Sequence, residues 1–240
     1  MTSPVQTQWI DLPTPDGPMG AYLALPPGGR GPGLLLLQEI FGVNQHIRAV
    51  AEQYALAGFV VLAPDVFWRQ APRIELGYEG ADRQRGIALA TALQGPEVVA
   101  DLQVVVAALR ARPELVRDHS GPAKVGAIGY CMGGRLAYTA AAVAGVDAAV
   151  AYYGGGIQGQ LALAPQVRCA MQFHYAAHDD HIPPEAVAAV QAAFAGKPAE
   201  FHEYPGSMHG FNCWARASYH APSAALALGR SLQFLAQQLF

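Results

Sequence analysis

A glycine-flanked cysteine offers the clearest chemistry in the sequence: Val125 to Gly134 reads VGAIGYCMGG, so Gly129, Cys131 and Gly133 form a G-x-C-x-G pattern. The pattern sits between an apolar strand and an alanine-rich helix. A sharp strand-to-helix turn there forces the nucleophile into strained backbone geometry, and the glycines let neighbouring elements approach closely. The Met132 N–H, at the opening of the helix, can donate to a developing oxyanion, and a helix N-terminus favours negative charge nearby. A cysteine nucleophile needs a base, and the base needs an orienter, in the chain order nucleophile, acid, histidine. Asp179 in YAAHDDHIPP and His209 in YPGSMHGF supply them in that order, with Asp180 the competing acid. Glu39 ends an apolar strand at the same edge of the sheet, where a carboxylate is costly without a partner.

The elements that must position these residues follow from periodicity. Met19 to Leu25 reads as a hairpin strand closed by Pro26. Gly33 to Leu37 and Phe59 to Ala63 are short apolar runs around a helix over Asn44 to Ala57, which together form a βαβ unit with parallel strands buried on both faces. Residues 66 to 81 read as a long loop or cap, followed by helical segments over Ala81 to Leu93 and Pro96 to Arg110. Strands over Lys124 to Gly129, Ala148 to Tyr153, Cys169 to Tyr175 and Glu200 to Tyr204 then alternate with helices over Arg135 to Val143, Pro184 to Phe194 and Ser218 to the C-terminus. This order implies an α/β fold with a mostly parallel, doubly wound sheet flanked by helices. No repeat or linker divides residues 1 to 240, so one domain is expected.

The residues just described resemble the dienelactone hydrolase family over nearly the whole chain. The resemblance rests on QEIFG at Gln38 to Gly42, PDVFWRQAP at Pro64 to Pro72, GYCMGG at Gly129 to Gly134, AYYG at Ala151 to Gly154, the Asp179 loop ending in Ile182 and Pro183, and HGF at His209 to Phe211. It implies an α/β-hydrolase fold, a carboxymethylenebutenolidase-like activity on a small ester or lactone, and a triad of Cys131, Asp179 and His209. By the same resemblance Glu39 takes the thiol proton when substrate enters, and the N–H groups of Ile40 and Met132 form the oxyanion hole. Arg85 matches the first carboxylate-binding arginine of the family, but the tyrosine expected four residues later is Leu89, and the second arginine position is Cys213. Arg216 is close enough in sequence to compensate. Tyr152, Phe211, Trp214 and Trp68 are candidate pocket walls.

Composition narrows the alternatives. Apolar residues make up 52% and charged residues 14% of the 240, with a formal charge of -3. A packed body is expected, with neither nucleic acid nor a membrane as partner. The N-terminus lacks a signal-peptide pattern, and Cys131, Cys169 and Cys213 are odd in number and widely spaced, so a reducing cytoplasmic setting is expected. No cofactor is implied. A monomer is expected, with a homodimer as the alternative. Two other readings compete: a non-catalytic scaffold on the same fold, and a metal-binding protein using His174, His178 and His181.

Overall fold

The computed structural model describes residues 4–117 and 121–240. The chain opens with an antiparallel hairpin, β1 (Gln6–Thr14) and β2 (Gly17–Leu25), and continues through β3 (Gly33–Leu37), α1 (Gln45–Leu56) and β4 (Val60–Pro64). Helices α2 (Gly80–Ala92) and α3 (Gly95–Ala111) lead to β5 (Val125–Tyr130) and α4 (Met132–Val143). Then come β6 (Ala148–Tyr152), a 3-10 segment (Ile157–Gln166), β7 (Ala170–His178), α5 (Pro184–Ala193), β8 (Ala199–Met208) and α6 (Ala221–Leu239).

These strands form one sheet in the order β1-β2-β4-β3-β5-β6-β7-β8. β2 pairs antiparallel with β1 and β4, and all later neighbours are parallel. β3, β4, β5 and β6 are buried at every residue, as expected of strands covered on both faces. Helices α3 and α4 touch each other and pack on β3 and β5, while α6 packs on β5 to β8. The doubly wound expectation therefore holds. β1 was not anticipated. Its residues QTQWIDLPT are mostly exposed or half-buried, so an edge strand of this kind carries little hydrophobic signal.

Local chemistry sets the boundaries. The Asn44 side chain accepts the Ile47 N–H at 3.2 Å and caps α1, and Pro96 in the first turn of α3 gives up an N–H that had no helical partner.

The sheet order also fixes where a ligand can sit. From β3 the chain winds one way, through α1 to β4. From β5 it winds the other way, through α4 to β6. The carboxyl ends of β3 and β5 flank this reversal, and crevices in open α/β sheets form at such a point. Glu39 follows β3 and Cys131 follows β5. No single helix among the described residues is long and apolar enough to cross a membrane.

Candidate active site

Cys131 occupies the turn between β5 and α4 with φ 56 and ψ -118, a conformation non-glycine residues rarely adopt. Its N–H donates to the Tyr152 carbonyl at 3.0 Å and its carbonyl accepts the Gly134 N–H at 3.0 Å, so the turn is held from both sides. The glycines are demanded by close approach. A Cβ on Gly129 would strike the Gly133 carbonyl, and one on Gly133 would strike the carbonyls of Leu37 and Gln38. The elbow is thus locked against the end of β3.

β7 ends at His178, so Asp179 emerges directly from the strand end. Its Oδ2 accepts from His209 Nδ1 at 2.8 Å, and its Oδ1 accepts the His181 N–H at 2.9 Å. Asp179 is thus the carboxylate that meets His209, and the competitor Asp180 is exposed. His209 lies beyond β8 with its ring against Tyr153, and the His181 ring meets it edge-on at 4.8 Å. The Cys131 thiol is near enough to act on the His209 ring electrostatically. Burial pulls the His209 pKa down, but negative charge on Cys131 and the bond to Asp179 outweigh it and lift the value to about 10.

Arg216 joins the two halves of the site. Its Nη1 donates to Glu39 Oε1 at 3.0 Å, and it also feels the charge of Cys131. Gly210 makes this possible: its φ is 83, and a Cβ there would strike the Arg216 guanidinium. Successive turns, Cys213 N–H to Gly210 carbonyl and Arg216 N–H to Cys213 carbonyl, wind the chain back so that the arginine packs against Gly210. Glu39 is 1% exposed; burial raises its carboxyl pKa, with Arg216 and His209 opposing. Its Oε2 has no hydrogen-bond partner.

Cys131 opens into a cavity of about 220 Å³ walled by Ile40, Phe41, Met132 and Ile87 and edged by the cationic groups of Arg83, Arg135 and Arg216. Of the expected substrate-binding residues, only Arg216 lines it. Arg85 is not on its lining, whereas Arg83 is. Arg83, Ile87 and Ala90 recur at helical spacing on the face of α2 turned to the site, while Arg85 is two residues round the helix and exposed. Gly86 lets that face close on the Ile40 carbonyl.

The aromatic wall candidates also fall elsewhere. Tyr152 is fully buried, stacked on His174 and bonded through its hydroxyl to Ser231 at 2.8 Å. Phe211 is core, packed against Tyr153 and Tyr204. Trp214 is exposed and covers His46 on another cleft, and Trp68 donates its indole N–H to Asp101. Aromatic type alone did not separate wall from core.

The histidine set proposed as a metal centre does not converge. His174 lies wholly within the sheet and bonds to Tyr204 and Gln172, while His178 is exposed at the end of β7 and His181 is exposed in the loop after it. Among the described residues these three form no ligand cluster. A different group does, Glu39, His46 and Cys213, which the sequence gave no spacing to suggest.

The comparisons with known proteins agree with this geometry. The family model described as "Dienelactone hydrolase family" matches residues 19–239. The chain is 33% identical to a carboxymethylenebutenolidase of Pseudomonas putida over 96% of each chain. It is 34% identical to one from Pseudomonas sp. strain P51, covering 91% of this chain and 90% of that protein. A solved structure from Klebsiella pneumoniae, assigned as a dienelactone hydrolase, superimposes with a TM-score of 0.83 at 29% identity, over 97% of this chain and 99% of that one. With its elbow cysteine, its eight-stranded α/β-hydrolase sheet and a match spanning almost its full length, the chain belongs to the dienelactone hydrolase family.

Proposed function

We propose that the protein hydrolyses a small ester or lactone through a thioester on Cys131. The observation that carries this reading is the Asp179–His209 hydrogen bond with Cys131 beside the ring on the lining of one cavity, the cysteine standing in the strained elbow conformation.

His209, its pKa lifted to about 10, carries a proton near neutral pH, and Cys131 gives up its own proton when substrate enters. The thiolate attacks the substrate carbonyl, and the oxyanion is received by the N–H groups of Ile40 and Met132. Met132 is the first residue of α4, where N–H groups have no acceptor within the helix. As the tetrahedral intermediate collapses, the imidazolium protonates the leaving oxygen. In a lactone that oxygen stays attached to the acyl group, so the ring opens on the enzyme. Neutral His209 then draws a proton from water, the hydroxide attacks the thioester, and the carboxylate product leaves as Cys131 regains its charge. Asp179 keeps the imidazole oriented throughout.

Glu39 has a different place in this scheme. At rest its hydrogen bond is to Arg216. When an incoming substrate carboxylate engages Arg216, Glu39 is freed to accept the Cys131 thiol proton. Arg83 and Arg135 add positive charge at the cavity edge, so an anionic ester or lactone is the favoured substrate class.

Comparing p-nitrophenyl acetate with a dienelactone, on wild type and on Cys131→Ala, tests this reading. Turnover of both by wild type, faster for the carboxylate-bearing lactone and lost for both in the variant, is expected. A folded variant as active as wild type would remove Cys131 as nucleophile.

A further inference from the structure

Near Arg216, and outside the lining of the cavity at Cys131, three side chains of different chemistry come together: the Glu39 carboxylate, the His46 imidazole and the Cys213 thiol. One donor atom from each lies within 4.8 Å of the others, and all three residues are buried. Glu39 Oε2 and both ring nitrogens of His46 lack hydrogen-bond partners, although Glu39 is 1% and His46 3% exposed. Buried polar atoms are almost always satisfied, and an orphaned carboxylate oxygen beside an imidazole with no partner calls for an explanation.

We propose that Glu39, His46 and Cys213 form an inhibitory site for a divalent cation of the zinc class. A thiolate, an imidazole and a carboxylate are the ligand types this borderline-soft ion takes, and three protein ligands leave a fourth position for water. In tetrahedral zinc geometry the ligand atoms stand about 3.3 to 3.6 Å apart, so the three side chains need to draw together by about an ångström. A route exists: His46, Tyr78 and Trp214 line a solvent-facing cleft of about 370 Å³, separate from the one at Cys131.

Binding is balanced by one proton. The ion replaces the hydrogen on Cys213 sulfur, which leaves to solvent, and two anionic ligands then match its charge. Arg216 remains on Glu39 Oε1, so the assembled site keeps one positive charge in excess. Such a site releases its ion readily, unlike the closed four-ligand centres that hold zinc structurally. The inhibitory effect rests on the proposed role of Glu39: with the ion on Oε2, Glu39 can neither accept a proton nor change partner.

Cobalt and zinc test the two halves separately. Chelator-stripped wild type and Cys131→Ala, titrated with cobalt(II), should each bind one equivalent and develop thiolate-to-cobalt charge-transfer absorption in the near ultraviolet. Cys213→Ser and His46→Ala should lose that band, with binding at least about ten-fold weaker. Zinc should slow wild-type ester hydrolysis and leave the rate of Cys213→Ser unaffected by the ion. A band that survives Cys213→Ser, disappears in Cys131→Ala or never forms overturns the site, and saturation without loss of turnover overturns its inhibitory role. The cobalt band needs no turnover, so it stands or falls independently of the hydrolase reading.

Discussion

Arg216 and Glu39, 177 positions apart in the chain, form an ion pair at 3.0 Å in which the carboxylate is almost completely buried. The glutamate follows the central strand β3, and the arginine arrives from the loop that has just delivered His209. The cavity at Cys131 and the buried carboxylate are thus tied to one guanidinium.

Removing that guanidinium leaves a buried charge without its counterion. Arg216→Ala should lower unfolding stability by about 3 kcal/mol, the scale seen when one partner of a buried pair is deleted. The second substitution Glu39→Gln should recover most of the loss, because the uncompensated charge goes with it. Urea denaturation of the two single variants and the double variant measures the coupling; strictly additive effects would contradict the pair.

The elbow glycines should tolerate nothing larger. Gly133→Ala places a Cβ against the Leu37 and Gln38 carbonyls, which are backbone at the end of β3 and cannot swing aside. The expected result is a loss of about 3 kcal/mol or more, with activity falling further than stability because Cys131 is displaced. Gly145→Ala is the control: its φ is 69 but it has no neighbour within 4 Å, so only modest backbone strain is expected, with activity unchanged.

His209 gives the protein a pH signature. An unfolded histidine titrates near 6.5, whereas His209 in the fold is lifted to about 10. A raised value means that the stabilisation is fully present below the unfolded pKa and is lost as pH rises through the folded one. Stability should therefore decline between about pH 6.5 and 10, and His209→Gln should flatten that slope. An NMR titration of the His209 ring should show its midpoint near 10 in wild type and well below that in Cys131→Ala. An unchanged midpoint would mean that the thiol carries no charge beside it.

Arg83 and Arg85 separate two readings of the same helix. Arg83→Ala should raise KM for an anionic substrate about ten-fold or more, while Arg85→Ala leaves it near wild type, since only the first lines the cavity. Neutral esters should respond weakly to either substitution.

The contrast between those arginines shows what the sequence could and could not reveal. The elbow was legible because its glycines are required by backbone contact and leave a local pattern. The acid and the histidine were legible because strand ends and chain order place them, and helix α1 was legible to its capping Asn44. The identity of the cavity-lining arginine depends on the phase of α2, where a shift of two residues turns a side chain to the opposite face. Likewise Tyr152 and Phe211 differ from true wall residues only in which side of the sheet edge they occupy. The cluster of Glu39, His46 and Cys213 spans distant segments, and only the fold brings it together.

The central claim is covalent: the acyl group passes through Cys131. Rapid acid quench of the enzyme during ester turnover, followed by mass spectrometry of the peptide containing Cys131, tests it most directly. The account predicts an adduct of the acyl mass on Cys131, labile to hydroxylamine as a thioester is, accumulating in wild type and absent from Cys131→Ala, whose turnover falls by at least about a thousand-fold. An adduct on another residue, or undiminished turnover by a folded Cys131→Ala, would contradict it.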